Sequence, residues 1–451
     1  MDHTGPAALR FGTDGVRGRA LVELTAGYVQ ALGVAAALEL GGSRWIVGRD
    51  TRESGAQLEA AVASGLAAAG ARVECAGIMP TPALAYLAQA EGVPVAVVTA
   101  SHNPFHDNGV KLFATGGLKL TDEAERRIEA RMGDGGVPVG RGVPVGVGPG
   151  AVTVLAGGAD RYADHLVGLF PEAGLTGVRV VLDCANGAMS AVAPRVVRAL
   201  GAELTVIHAA PDGRNINAVS GATSPTSLVH AVVAAGADVG LAFDGDGDRV
   251  IAVDELGNVV DGDRLIALAA LRMRDEGRLA NDSVVVTVMS NLGFHRAMRR
   301  AGIGVVTTDV GDRYVLEQLT ARGCALGGEQ SGHIIERDRA TTGDGLLAGL
   351  GLLSQLAASG RLLSELAGEV MTSYPQVLVN VAVAERHPSI ADELRAEIDA
   401  EVAGLEGDGR VLVRASGTEP LVRVMVEAPT AALAGDVAER LAGAVHRRFG
   451  R

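Results

Sequence analysis

Three times along this chain a helix-like stretch closes on a glycine and an apolar strand starts at once: Ala69-Gly70-Ala71-Arg72-Val73, Leu200-Gly201-Ala202-Glu203-Leu204 and Ala301-Gly302-Ile303-Gly304-Val305. Glycine just past the last turn supplies the left-handed conformation that stops a helix. Each helix is preceded by another apolar strand, at Trp45 to Gly48, Val178 to Leu182 and Val284 to Val288. A strand-helix-strand unit repeated in this way predicts three related α/β domains with parallel or mixed sheets. The tail reads differently: a strand at Gln376 to Val383, a helix, a pair of strands within Gly409 to Ala428 and a final helix make a smaller α+β domain. A length of 451 residues and a hydrophobic fraction of 48% supply enough material for this many cores.

The boundaries follow from punctuation. GDGGVPVGRGVPVGVGPG at 133–150 is dense in glycine, valine and proline, Asp254 to Asn258 reads as a turn between units, and Thr372 to Pro375 precedes the change of pattern. The expected domains are therefore 1–150, 151–256, 257–371 and 372–451.

A net charge of −13 argues against a general binder of nucleic acid or membrane surfaces, while leaving room for a local cationic pocket. The start MDHTGPAALRFGTDG lacks the basic-then-apolar plan of a signal peptide, and no 18-residue apolar run follows, so a soluble cytoplasmic protein is expected. Cys75, Cys184 and Cys324 are far apart and show no metal or disulfide spacing; buried free thiols are expected. Of 40 cationic residues only Lys111 and Lys119 are lysines, the cation that gives up its proton more readily than arginine.

Four segments carry candidate chemistry. VTASHNPFHDNGVK (98–111) places Ser101 just beyond an apolar strand and before Pro104 and Asn108-Gly109, which predicts an exposed loop. It is open to three readings: a connecting turn, a hydrolase triad, or a serine that holds a group covalently. No G-x-S-x-G surrounds it, and His102 is too close in sequence to serve readily as its base. The second segment, Asp244-Gly245-Asp246-Gly247-Asp248-Arg249, follows the strand-like Val239 to Phe243, and carboxylates alternating with glycines can converge on one cation. Hard oxygen ligands with open positions suit Mg²⁺ beside a phosphate. An EF-hand would use Glu255 at its twelfth position but needs glycine where Arg249 stands; an acidic surface turn is the plain alternative.

The third segment, Arg414-Ala415-Ser416-Gly417-Thr418-Glu419-Pro420, between two strands, can surround an anion with backbone N–H groups and hydroxyls, with Arg423 nearby, or can be a simple hairpin turn. The fourth, Gly327-Gly328-Glu329-Gln330-Ser331-Gly332-His333, suits hydrogen bonding to sugar hydroxyls, although His333 alone could be structural.

Taken in order, RFGTDGVRG, VGRDTRESG, TASHNP, DNGVKLF, LDCANGA, AFDGDGDRVIAVD, VMSNLG, VGDRYV, GGEQSGHI and RASGTEPLVRVMVEA resemble the α-D-phosphohexomutase superfamily over essentially the full chain, and within it the branch acting on glucosamine phosphates. The resemblance implies an intramolecular phosphotransferase that interconverts glucosamine 6-phosphate and glucosamine 1-phosphate through a phosphoserine and a 1,6-bisphosphate, feeding UDP-N-acetylglucosamine and cell-wall synthesis. A phosphomannomutase/phosphoglucomutase, or a sugar-phosphate binding protein without turnover, is the alternative. It further implies that Ser101 carries the phosphoryl group, and that Ser101, Asp244, Asp246 and Asp248 hold one Mg²⁺ per chain. Arg249 would steady the transferred group, Lys111 and His333 would serve proton transfer or electrostatics, and Arg17 would lie near the nucleophile. Glu329 and Ser331 would contact the sugar, and Arg414, Ser416, Gly417, Thr418 and Arg423 the phosphate that is not reacting.

By the same resemblance the four domains would bear, in order, the phosphoserine, the metal, the sugar and the distal phosphate. Glucosamine or glucose 1,6-bisphosphate would act as primer. The implied partner is a small-molecule sugar phosphate, with a homodimer left open and neither nucleic acid nor membrane expected. Thr99 and Ala415 depart from the serine and proline common in the group at those places.

Overall fold

Gly70, Gly201 and Gly302 take positive φ angles of 94°, 94° and 71° at the ends of the helices Gly55–Ala68, Met189–Ala199 and Leu292–Ala301. The chain then re-enters a sheet at Arg72–Ile78, Glu203–Ile207 and Gly304–Thr308. These elements come from a computed structural model, which describes residues 9–12, 14–133, 150–171, 174–416 and 420–450. The chain divides into two compact units, Met1–Met289 with Ile303–Gly368, and Ser290–Gly302 with Glu369–Arg451.

The larger unit contains three sheets of one plan. In the first, Val95–Val98 runs parallel to Arg44–Arg49, and Arg44–Arg49 parallel to Arg72–Ile78; Asp107–Ala114 then returns antiparallel beside Val95–Val98. In the second, Glu203–Ile207, Arg179–Asp183 and Val239–Phe243 are parallel and Val250–Asp254 returns antiparallel. In the third, Gly304–Thr308, Ser283–Thr287 and Leu326–Gly328 are parallel and Ile334–Glu336 returns. The sheets are mixed, as expected. In every sheet the loop that matters lies at the carboxyl end of the parallel strand that precedes the returning strand: Ser101, the Asp244–Arg249 segment and Glu329–His333 occupy equivalent positions. The carboxyl ends of parallel strands are where α/β sheets place ligands.

Three details differ from the expected boundaries. Val152–Val154 pairs parallel with Arg72–Ile78, so the first sheet continues past residue 150. Of the glycine- and proline-rich segment at 133–150, residues 134–149 lie outside the described residues. The turn at Asp254–Asn258 closes a hairpin within the second sheet, because Val259–Val260 pairs with Val250–Asp254 and the Asp254 carboxylate accepts from the N–H groups of Leu256 and Asn258. The helix Leu292–Ala301 packs with the C-terminal unit: the Leu292 N–H donates to Glu427, Asn291 bonds the Tyr374 backbone, and Arg296 pairs with Asp408 at 2.6 Å.

The C-terminal unit also holds an antiparallel sheet, ordered Gln376–Ala382, Leu421–Glu427, Arg410–Ala415, against the helix Ala431–Phe449. Cys184 and Cys324 are buried and Cys75 partly so, all unpaired. Among the described residues no single helix is long and apolar enough to cross a membrane.

The first core depends on two glycines where the helices Ala26–Leu40 and Gly55–Ala68 cross. A Cβ on Gly65 would lie 2.0 Å from the Gln30 carbonyl oxygen, and one on Gly33 2.5 Å from that of Val62. Gly65→Ala should therefore destabilise the protein by about 1–3 kcal/mol through overpacking, despite the better helix propensity of alanine. Gly168→Ala, on the helix Gly158–Leu169 with open space around its Cβ, should be neutral or stabilising. Urea unfolding midpoints of the two variants make the comparison.

Candidate functional site

Ser101 is 1% exposed, not on an exposed loop as its flanking turn residues predict. Its φ of 51° places it in the left-handed region, and neighbours from two sheets hold it there. Thr99 Oγ1 donates to Asp50 (2.6 Å) and accepts from the Ser101 N–H (2.9 Å), so the threonine performs both tasks open to a serine hydroxyl. Arg52, buried against Asp50 at 2.9 Å, donates to the carbonyls of Ser101 (2.9 Å), Asn103 (2.8 Å) and Asp107 (3.0 Å), and also to that of Pro104. Local sequence reports the turn and not the guanidinium that closes over it.

The Ser101 hydroxyl donates to Asp244 Oδ2 at 2.6 Å. Asp244, Asp246 and Asp248 are 0%, 0% and 3% exposed, which removes the surface-turn reading, and each offers an oxygen within 4.8 Å of the others. Gly245 allows the approach, since a Cβ there would come 2.6 Å from the Ser101 carbonyl oxygen. Asp246 Oδ1 and Asp248 Oδ1 are buried without a hydrogen-bond partner. Burial and the two neighbouring acids push the Asp244 carboxyl up to about 8. Orphaned carboxylate oxygens and a mutually repelling buried triad are the donor set of a hard divalent cation. Glu255 bonds Ser364 instead, so an EF-hand loop is not formed.

Both lysines of the chain converge here. Lys111 Nζ lies 2.8 Å from Asp246, 2.9 Å from Asp248 and 2.8 Å from Asp14. Burial alone would lower its pKa, but Asp14, Asp246 and Asp248 outweigh it and hold Lys111 cationic, well above its ordinary value. Lys119 lies 2.8 Å from the same Asp14 and also pairs with Asp312; burial wins there, and its pKa is lowered. Asp14, which burial would raise, is held well below the usual carboxylate range by Lys111, Lys119 and Arg17, the last at 2.6 Å.

His333 accepts the Gly343 N–H at Nε2 (3.2 Å) and presents Nδ1 to Asp248 at 3.6 Å. His102 stands with Nδ1 3.3 Å from Ser101 Oγ, within reach despite being the next residue. Burial, reinforced by Arg249 and Arg17, brings its pKa down to about 4, so it is a neutral imidazole at pH 7.

Two cavities open from this cluster. One of about 420 Å³ is lined by Arg17, His102, Asp248, Arg249, Asp312, Glu329 and His333 among others. The other, about 490 Å³, shares Arg249, Val310 and Glu329 with it and adds Ser331, Gln330, Ile251 and Met289. Glu329 is fixed by the Gly311 N–H at 3.1 Å, and Arg249 Nε is buried without a partner. Strong donors on one side and hydroxyl-binding groups on the other suit a phosphorylated sugar.

The structure thus brings together Ser101, Lys111, the three aspartates, Arg249, His333, Arg17, Glu329 and Ser331. In the C-terminal unit, Arg414 and Arg423 are opposite each other in adjacent antiparallel strands, Ser416 is buried and its N–H donates to Leu421, and Arg423 Nε is buried without a partner. Gly417 and Thr418 lie outside the described residues. Sequence reasoning missed Asp14, Arg52, Lys119, Asp312 and the proximity of His102. The signals available were the chain's restriction to two lysines and the motifs RFGTDGVRG, VGRDTRESG and VGDRYV, which contain Asp14, Arg52 and Asp312 without showing where they point.

Family models for the four phosphoglucomutase/phosphomannomutase domains match this chain in order: alpha/beta/alpha domain I over residues 8–136, domain II over 160–257, domain III over 261–374 and the C-terminal domain over 378–444. A phosphoglucosamine mutase of Frankia alni is 54% identical, covering 96% of this chain and 97% of its own length. One from Mycolicibacterium paratuberculosis is 51% identical over 96% and 98%. Among solved structures, a phosphoglucomutase/phosphomannomutase family protein of Burkholderia thailandensis superposes with a TM-score of 0.79 at 26% identity, covering 96% of this chain and 97% of that one. The Aspergillus fumigatus N-acetylphosphoglucosamine mutase, solved with GlcNAc-6P and magnesium, shares the fold with a TM-score of 0.70 at 21% identity over 97% and 95%.

Proposed function

The chain belongs to the phosphoglucosamine mutases of the phosphoglucomutase/phosphomannomutase family, and from that membership we propose that Ser101 is its phosphoryl carrier in the interconversion of glucosamine 6-phosphate and glucosamine 1-phosphate. The observation that carries this reading is the Ser101 hydroxyl, 2.6 Å from Asp244 inside a buried three-carboxylate cluster. Asp244, Asp246 and Asp248, with Ser101 beside them, would hold Mg²⁺, the ion present in the Aspergillus relative. When bound, that cation neutralises phosphoryl oxygens and lowers the barrier to transfer.

The chain's own groups have separable tasks. Phosphoserine 101 gives its phosphoryl group to the free hydroxyl of the monophosphate, making a 1,6-bisphosphate; after the sugar reorients, the other phosphate returns to Ser101. Arg249, cationic and with an unpaired buried Nε, faces the cavity where the transferred group would lie. Lys111 balances the metal-binding acids, and Arg17 fixes Asp14 beside it. His333, held by Gly343, lies within reach of a hydroxyl entering the first cavity, while Glu329 and Ser331 line the second, where the ring would sit. Arg414, Ser416, Gly417, Thr418 and Arg423 would take the second phosphate. A sugar 1,6-bisphosphate serves as primer, and a product of this kind would feed the synthesis of nucleotide amino sugars.

The 2-amino preference is the most demanding part of the assignment, because a single polar substituent gives only modest discrimination unless the site pairs with it. With bisphosphate primer and Mg²⁺ present, phosphorus NMR should show glucosamine 6-phosphate converted with kcat/KM at least about tenfold above that of glucose or mannose 6-phosphate, a difference of about 1.4 kcal/mol at the transition state. Equal or reversed preference moves the assignment to a general phosphohexomutase.

A further inference from the structure

Ser101 is tied to the second sheet's loops at two points, and only one of them survives the loading of its hydroxyl. The first is the 2.6 Å bond from Oγ to Asp244. Once Oγ bears a phosphoryl group it has no proton to donate, and the carboxylate faces new negative charge. The second point is the backbone. Asn217 Nδ2 donates to the Ser101 carbonyl at 2.9 Å and to that of Asn103 at 3.2 Å, sharing both acceptors with Arg52.

Asn217 is itself firmly placed. Its N–H donates to the Ala185 carbonyl at 2.9 Å, and its φ is 57°. Ala185, Asn186, His208 and Val219 around it also have left-handed angles of 52°, 48°, 47° and 52°. Such conformations persist in non-glycine residues only where the surroundings over-determine them, and they concentrate at functional loops. The amide also sits against the metal-binding loop, since a Cβ on Gly245 would lie 2.8 Å from Asn217 Nδ2 as well as 2.6 Å from the Ser101 oxygen.

We propose that Asn217 is a positioning residue for the phosphoryl carrier: its amide holds the Ser101 loop in register with the aspartate triad whether or not Oγ is loaded. The inference rests on the reading of Ser101 as the carrier. It predicts that loss of the amide slows transfer onto and off the serine without weakening the sugar contacts, which lie on other loops.

Arg52 makes the same grip, but it is buried against Asp50, and removing it would strand a carboxylate and endanger folding. Asn217 is only partly buried, and glycine and aspartate both tolerate left-handed φ. Asn217→Gly and Asn217→Asp therefore delete the donor while leaving the backbone feasible.

In the full-length protein with Mg²⁺ and a radiolabelled sugar bisphosphate, rapid quench should show Ser101 labelled roughly 10- to 100-fold more slowly in both variants, the range expected for a reacting group displaced by a fraction of an ångström to one ångström. kcat should fall by the same factor, while KM stays within about twofold and the melting midpoint is unchanged. Labelling at the wild-type rate overturns the inference, as does a loss that follows a lowered melting midpoint or appears in KM alone. If wild-type Ser101 takes no label, the carrier reading itself fails; a labelled wild type with unaffected variants defeats only the role of Asn217.

Discussion

Ser101→Ala should abolish turnover, with kcat lower by about four orders of magnitude or more, the scale on which removal of a covalent nucleophile acts. The substitution removes one buried hydroxyl and leaves the left-handed loop gripped at its carbonyl by Arg52 and Asn217. Sugar-phosphate binding should therefore survive, because the cavity residues Arg249, Glu329 and His333 are untouched. Calorimetric titration of the variant with glucosamine 6-phosphate, beside the turnover assay, separates the two properties. Near-normal steady-state activity would show that His102, Lys111 or the aspartates sustain the reaction without a covalent carrier.

Chelation is the second large effect. Three carboxylates converge within 4.8 Å, and at about 4 Å and an effective dielectric of about 20 each like-charge pair costs roughly 4 kcal/mol. Lys111 offsets two of the acids but leaves Asp246 Oδ1 and Asp248 Oδ1 without a hydrogen-bond partner. EDTA should lower activity at least about 100-fold, with full recovery on adding Mg²⁺, the result expected when a cation supplies several kcal/mol of charge stabilisation. Asp246→Asn removes one charge while Lys111 keeps Asp248 and Asp14, so the fold should hold. The half-saturating Mg²⁺ concentration should rise at least about tenfold, equivalent to about 1.4 kcal/mol. Activity indifferent to EDTA would mean that the acids serve only to anchor Lys111.

The extent to which the site is legible in sequence depends on how locally each part is determined. DGDGDR announces itself because its charge and its flexibility lie within six residues, and the glycines that end three helices mark the α/β repeat with equal economy. Ser101 is legible as a loop residue but not as a buried one. The groups that cover it, Arg52 and Asn217, are 49 and 116 residues away, and although Arg52 falls within VGRDTRESG, neither segment's local pattern reports which loop its side chain grips.

The pair Lys119 and Asp312 is separated by 193 residues, and the scarcity of lysine and the VGDRYV motif mark its two members without joining them. Domain limits blur for a related reason. Val152–Val154, Val259–Val260 and Leu292–Ala301 join partners chosen by edge pairing and specific hydrogen bonds, which composition and turn signals do not encode.

If one serine receives and returns the phosphoryl group, it must be found loaded and must discharge to substrate. The direct measurement is to load the wild-type protein with a labelled sugar bisphosphate, locate the label by peptide mass spectrometry, and chase with unlabelled glucosamine 6-phosphate. Label is expected on Ser101 alone, approaching one group per chain, discharged at least as fast as kcat. Turnover proceeding while Ser101 stays unlabelled, or a label that the chase cannot remove, would contradict it.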